Sequence, residues 1–353
     1  MITDNHYQQL LEAASLAPSA DNMQPWAFQK RDDEIDLFYV KKRSLPTDTL
    51  DMFGLISLGA AIQNMIITAE NMGFSCQLTY QEHSSFDQPV ATLSFSNANH
   101  KNELADWITF RSTNRAPYST TKKISQTQLY LLQKSTESFP ISCQYLFDKQ
   151  QFKEIANLDA QSSYIRLEYQ PFHDELFDIL RFSKTDNEKF RYGLTFESLE
   201  VPSFAVFFAK FLRYNRFNDL VSKLGFGKLV AYSLSRKLQQ SSCLTLISVS
   251  ERNYKSYIEA GRGLEQLWLT CTKMGLAVQP YGVLPQYFTK LDIETQFFTE
   301  KYKTKLLKHK ETFDTLFTNG TSHYPALLLR IGQTDQISKR SSIRIKTSNI
   351  NKN

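Results

Sequence analysis

Two short segments of this chain hold the residue types from which a binding site could be built. The first is Ala17-Pro18-Ser19-Ala20-Asp21-Asn22-Met23-Gln24-Pro25-Trp26. Pro18 and Pro25 fix their own φ and donate no backbone hydrogen bond, so the segment reads as a stiff, irregular loop. Ser19, Asn22 and Gln24 add a hydroxyl and two amides beside the flat apolar face of Trp26. That mixture suits a planar, heteroatom-rich ligand, although an ordinary helix-to-strand turn has the same composition. The second segment is Arg111-Ser112-Thr113-Asn114-Arg115. Two guanidiniums with hydroxyl donors between them can face one way on a helix start or turn, and they suit phosphate oxygens. A solvated basic turn before Pro117 is the competing reading.

Two further stretches qualify on weaker grounds. In Gln279-Pro280-Tyr281-Gly282 the glycine permits close backbone approach, while Pro280 removes one donor. Lys339-Arg340-Ser341-Ser342-Ile343-Arg344 is a terminal basic run of a kind usually solvated. Other chemistries fail on spacing. Gln266 stands where a dinucleotide fingerprint opening at Gly261 needs its third glycine, and Ser222 replaces the first glycine of a P-loop ending in Gly227-Lys228. The six histidines form no metal-ligand pattern, and no G-x-S-x-G occurs. No metal and no catalytic side-chain dyad are expected.

These segments need elements to hold them. From Tyr7 to Ala17 apolar residues fall at 7, 10, 11, 13 and 14, a helical face that ends at Pro18. Ser57 to Phe74 is echoed by Glu259 to Leu276. Gly59 and Gly73 match Gly261 and Gly275, Thr68 matches Thr270, and Met72 matches Met274. Apolar positions 62, 65, 66 and 69 match 264, 267, 268 and 271, the face of a buried helix. Gly73 and Gly275 sit where a helix C-cap favours left-handed backbone. Gly59 and Gly261 allow two helices to approach closely. Strand-like runs follow each copy, Ala91 to Phe95 and Ala326 to Ile331. Any two core helices share periodicity, but the paired Gly, Met and Thr favour duplication.

At 353 residues, with 41% hydrophobic and 22% charged, the chain is expected to be a soluble globular protein with one large core or two smaller ones. No apolar run of about 20 residues and no leader peptide stand out, so neither a membrane span nor secretion is expected. Cys76, Cys143, Cys243 and Cys271 lie far apart, which suits reduced thiols in the cytoplasm. The net charge of +5 suits an anionic ligand without implying nucleic acid. Residues 201–240 set seven basic side chains against one acid and are rich in phenylalanine. They read as a core-packed face or a lid in preference to a membrane-surface helix.

The first segment resembles the APSxxNxQPW loop of the FMN-dependent nitroreductase superfamily, with Pro18, Ser19, Asn22, Gln24-Pro25 and Trp26 in order. Arg111 to Arg115 resembles the RxSxR motif of the same superfamily, with Thr113 at the Ser position. With the repeated helices, most of 7–118 and 241–345 resembles its duplicated, single-chain, Acg-like branch. That resemblance implies an α+β, nitroreductase-like fold: an internally duplicated pseudo-dimer with helix-flanked mixed sheets. The halves would be 1–105 and 106–353, the second carrying a basic aromatic insertion at about 183–240. One chain would be a monomer imitating a homodimer.

The resemblance also implies one FMN site shared between the halves, because the loop here precedes the Arg motif. Arg111 and Arg115 would bind the phosphate, with Ser112 and Thr113 on phosphate or ribityl chain. Pro18, Ser19, Ala20, Asn22 and Gln24 would meet the ring edge, with Trp26 behind the loop. The backbone of Gln279, Pro280, Tyr281 and Gly282 would approach flavin N5, and Arg340 would close the phosphate site. The implied activity is transfer of reducing equivalents from NAD(P)H to a small molecule such as a nitroaromatic or quinone. A flavin-binding protein without turnover, serving storage, sequestration or regulation, is the alternative.

Overall fold

In the computed structural model the described residues are 2–82, 85–99, 101–199, 226–317, 323–336 and 342–352. The first half of the chain forms α1 (Asp4–Ser15), β1 (Trp26–Arg31), β2 (Glu34–Tyr39), α2 (Met52–Asn71), β3 (Phe74–Tyr80) and β4 (Ala91–Asn97). Next come α3 (Gln126–Thr136), β5 (Ile141–Leu146), α4 (Lys149–Glu168), α5 (Gln170–Ile179), β6 (Leu180–Arg181), α6 (Lys184–Phe190) and β7 (Leu194–Thr195). Then follow α7 (Phe226–Ser235), β8 (Cys243–Val249), α8 (Tyr254–Lys273), β9 (Ala277–Tyr281), α9 (Val283–Ile293), α10 (Glu300–Leu316) and β10 (Tyr324–Gly332).

Local chemistry explains where the site-bearing elements begin and end. Thr3 caps α1: its hydroxyl accepts from the His6 N–H while His6 Nδ1 accepts from the Thr3 N–H. Tyr7, Leu10, Leu11 and Ala14 bury one face of that helix, and Pro18 keeps it from continuing. The long helices start a few residues earlier than the echo in the sequence predicts. Asp48 accepts the Phe53 and Gly54 N–H groups at the head of α2, and Asn253 accepts the Ser256 N–H at the head of α8. Gly73 and Gly275 follow their C-caps with φ of 86° and 69°, as the left-handed expectation requires.

Two four-stranded sheets form, in the orders β1-β2-β4-β3 and β5-β8-β10-β9. Each runs through two strands, a long helix, an edge strand and a strand that returns between. The ladders are antiparallel throughout. This corrects the expectation of mixed sheets. In the first sheet short connections that reverse the chain join β1 to β2 and β3 to β4, whereas parallel neighbours need a long crossover. Parallel pairing among the described residues is limited to the two-residue β6–β7 pair and two isolated bridges, Phe28 with Asn351 and Thr113 with Val278. The first bridge lays the C-terminal segment against β1: Phe28 N–H donates to Ile350, and Lys352 N–H to Phe28.

Helices α2 and α8 cross between the sheets, backbone on backbone. A Cβ on Gly59 would stand 2.0 Å from the Ile258 carbonyl oxygen, and one on Gly261 would stand 1.9 Å from that of Ile56. Ile56 stands to Gly59 as Ile258 stands to Gly261, so the two contacts are one contact made twice. The burial that follows has another consequence. Residues 49–71, with a mean hydropathy of 1.6, are long and apolar enough to pass for a membrane span, contrary to the sequence expectation. In this fold 94% of the most apolar window is buried within the protein.

The crossing yields a stability test. Gly59→Ala forces backbone apart and is expected to cost about 3 kcal/mol of unfolding free energy. Gly275 has nothing within 4 Å, so Gly275→Ala incurs only the left-handed backbone, about 1–2 kcal/mol. Denaturant melts of the two variants check the order; equal losses would mean the helices are not held at backbone contact.

Candidate functional site

The loop after α1 is bent sharply. Asp21, Asn22 and Gln24 have φ of 46°, 58° and 52°, left-handed values that a side chain adopts at a cost. Hydrogen bonds hold them there. The Ser19 hydroxyl accepts the Gln24 N–H (3.1 Å), and Ser57 of α2 accepts the Ala20 N–H (3.1 Å). Gln24 is fully buried and does not line the cavity. Its amide nitrogen donates to Asn22 and to the Arg191 carbonyl, and its oxygen accepts the Ile345 N–H (2.8 Å). Trp26 opens β1 with 0% exposure, and lies behind the loop.

One cavity collects the two segments that the sequence singled out. Pro18, Ser19, Ala20 and Asn22 line it with Arg111, Ser112, Thr113 and Arg115, and so do Pro280 and Gly282. Phe53, Ile56 and Ser57 come from α2, and Leu264 and Trp268 from α8, so the crossing helices form part of the wall. Gln279 and Tyr281 lie outside the lining: Gln279 accepts from Arg330 Nε (2.8 Å), and the Tyr281 hydroxyl donates to the Leu234 carbonyl. Gly282 is required by contact, since a Cβ there would stand 2.6 Å from the Phe53 ring. Arg340 falls outside the described residues, as do 200–225 of the basic aromatic stretch.

The Arg segment is extended rather than helical. Ala116 precedes Pro117 and so is biased away from helix, and Asn114 N–H pairs with the Val278 carbonyl at the edge of β9 (3.0 Å). Arg111 is 2% exposed. Its Nε lies 3.1 Å from Glu265 of α8, its Nη2 donates to the Leu16 carbonyl (2.8 Å), and it stacks 4.6 Å above the Trp268 ring. Burial pushes its pKa down while Glu265 opposes that shift. Arg115 Nη1 donates to the Ser198 carbonyl (2.7 Å).

The sequence reading missed other members of the wall. Arg344, at the far end of the basic run that contains Arg340, donates to Asn22 Oδ1 (2.7 Å) and to the Leu16 carbonyl (3.4 Å). Arg111 and Arg344 thus meet at the C-terminal end of α1, where the helix dipole favours cations. Arg166 of α4 also lines the cavity and pairs with Asp21 (2.8 Å). No motif surrounds Arg166, so nothing in the sequence pointed to it. Asp48, below the α2 wall, has its pKa pushed up to about 7 by burial, against the two N–H groups that it accepts.

Residues 191–198 form a strap over this cavity, with Leu194 and Ser198 in its lining. The Arg191 carbonyl accepts from Gln24, the Gly193 carbonyl from Asn22 (3.2 Å) and the Ser198 carbonyl from Arg115. Arg191 Nε donates to the Arg344 carbonyl (2.9 Å). Leu194 packs with Met23, Leu45, Phe177, Ile179 and Leu180, an apolar cluster that seats the strap on the loop.

A donor-rich cavity bridging two sheet-and-helix units defines the class: an α+β protein with a cationic candidate site. No protein-family model matches the chain. It is 23% identical over 310 residues to a Serratia protein named probable NAD(P)H nitroreductase PigM, covering 82% of this chain and 84% of that protein. It is 22% identical over 282 residues, 78% of this chain, to an uncharacterized protein of Mycobacterium tuberculosis, of whose length the match spans 38%. Among solved structures it is similar to an FMN-dependent nitroreductase from Clostridium difficile, at 14% identity and a TM-score of 0.38, covering 69% of this chain and 95% of that one. A nitroreductase with bound FMN from Bacteroides fragilis has 12% identity and a TM-score of 0.33, covering 70% and 100%. The chain is thus similar, at 23% identity, to a protein named as a nitroreductase, the class whose motifs its sequence also resembles.

The strap can be tested without any ligand. Gly193 has φ of 92°, and a Cβ there would stand 2.4 Å from the Ile179 carbonyl oxygen. Gly193→Ala is therefore expected to lift the strap, and backbone amides of 18–26 and 190–199 should exchange with deuterium about tenfold faster or more. Unchanged exchange in 18–26 would show that the strap does not hold the loop.

Proposed function

We propose that the cavity binds FMN and that the chain is an NAD(P)H-dependent oxidoreductase acting on nitroaromatics, quinones or a related small acceptor. One observation carries this reading: Ser19, Arg111 and Arg344, remote in sequence, line one cavity with the loop that resembles a flavin-packing motif. The donor set fits a phosphate. The guanidiniums of Arg111, Arg115 and Arg344 and the hydroxyls of Ser19, Ser112 and Thr113 line the cavity, and the one carboxylate among its described lining residues, Asp21, is engaged by Arg166. FMN, when bound, supplies the exchange of hydride with donor and acceptor. The chain's residues bind, orient and exclude water. Arg344 takes the closing role assigned to Arg340, and Phe53, Leu194, Leu264 and Leu327 keep the interior apolar. The Pro280–Gly282 turn presents backbone to the cavity against Phe53.

In the same reading one chain plays both subunits of a dimer. The doubled Gly–Ile contact is what a two-fold interface produces, and the two sheets share one strand order. Sedimentation is expected to give the mass of a single chain; a dimer packed through α2 on its own copy would overturn the duplication.

The second reading, flavin binding without turnover, is favoured by the strap, which shares bonds with Asn22, Gln24 and Arg115 and adds Leu194 and Ser198 to the cavity wall. NADPH added without air to the FMN-loaded protein separates the two. Bleaching of the flavin band at about 450 nm supports the oxidoreductase, and a persistent yellow colour supports storage. A protein that cannot be loaded with FMN overturns both. Arg115→Ala is expected to weaken FMN binding about ten- to a hundredfold, one charged hydrogen bond, and to change riboflavin binding little. Equal losses for both flavins would remove Arg115 from the phosphate site.

A further inference from the structure

Apart from Arg115, which bonds to the Ser198 carbonyl, the cations of the cavity stand in two groups. Arg111 and Arg344 converge on the Leu16 carbonyl. Arg166 instead stands with Asp21, and the groups that face it from neighbouring elements are Tyr287 of α9 and Glu175 of α5. Glu175 is already committed, accepting the Thr47 N–H at 2.7 Å. A phosphorylated cofactor gripped by the first group leaves the second available.

Arg166 is well prepared for a ligand. It lies in the last turn of α4, where the helix dipole favours a cation. That helix belongs to the long excursion between β5 and β8; β1 and β2, their counterparts in the first sheet, are joined by a tight turn. Arg166 therefore belongs to an element added to one unit alone. Its Nη2 makes a single bond to Asp21 Oδ2, and a quarter of its side chain is exposed. A guanidinium offers five N–H donors in a planar fork, so one bond to Asp21 leaves donors for another acceptor. Asp21, held in left-handed backbone, engages Nη2 of this guanidinium. Leu45 and Leu194 line the cavity as well, giving apolar surface for a ring.

We infer that Arg166 anchors the carboxylate of an anionic aromatic electron acceptor, with Asp21 setting which edge of the guanidinium the acceptor takes. The inference rests on the FMN-oxidoreductase reading and deepens it by naming the acceptor class.

The test uses 4-nitrobenzoate and its neutral analogue 4-nitrobenzamide with the FMN-loaded, full-length protein and NADPH. Wild type is expected to show a KM for the benzoate about tenfold below that for the benzamide. Arg166→Gln should raise the benzoate KM about tenfold or more and leave kcat and the benzamide KM unchanged within about twofold. Arg166→Lys should recover part of the loss. Calorimetric binding of 4-nitrobenzoate to the oxidised protein, without NADPH, should show the same loss. Equal effects on both acceptors, or no preference in wild type, would overturn the assignment. If NADPH fails to bleach the flavin, the turnover reading fails alone. The calorimetry then still decides Arg166: weakened binding in Arg166→Gln supports the anchor, and unchanged binding overturns it. Should Arg166→Gln not fold, Asp21→Asn removes the competing carboxylate, and 4-nitrobenzoate should bind several-fold tighter; unchanged affinity overturns the proposal.

Discussion

Backbone contact between α2 and α8 is the constraint on which the rest of the molecule depends. Each helix places a glycine against the carbonyl of the other, so their axes come closer than side chains would allow. Ile56 and Ser57 on one helix and Leu264 and Trp268 on the other then reach the same cavity. Widening the crossing by the thickness of a methyl group would pull that wall apart. The sheets pack outside these helices, and the antiparallel ladders place β4 and β10 in the interior of each sheet.

A second organising contact lies at the end of α1. The Leu16 carbonyl, left over at the helix terminus, draws Arg111 from the segment before Pro117 and Arg344 from the C-terminal segment. Glu265 balances the charge of Arg111 inside the protein. Breaking such a buried pair leaves one charge uncompensated, so Arg111 has a structural task as well as a place in the cavity. The strap reaches the same region from the other side. Its carbonyls accept from Asn22, Gln24 and Arg115, so the side-chain amides of Asn22 and Gln24 have protein partners even before any ligand is considered.

Much of this was legible in the chain. Helical periodicity and the matched glycines predicted α2 and α8, and the apolar runs predicted β4 and β10. Pro18 and Pro25 announced the irregular loop, and the family resemblance carried by Ser19, Asn22, Arg111 and Arg115 implied that the two segments meet. Those readings work because proline, glycine and hydrophobic period act locally, through φ, Cβ and the face of a single element. The distinction between Gln24, which braces the loop, and Asn22, which reaches the cavity, was not legible. Two residues so close in sequence point to different sides only because the loop adopts left-handed backbone.

Tertiary structure decided which member of the Lys339–Arg344 run meets the loop: Arg344, through Asn22 and Leu16. It also decided that Arg166 and Asp21 face one another, although nothing in their local sequences pairs them. Ion pairs form wherever folding brings charges within a few ångströms, and no periodicity records that distance. The sequence by itself determined the rigid parts, namely two glycine-bearing helices, a proline-bounded loop and a segment rich in donors. Which charges share the cavity was left to the packing of those parts, because a side chain's partner depends on distance in space and its element only on neighbours in the chain.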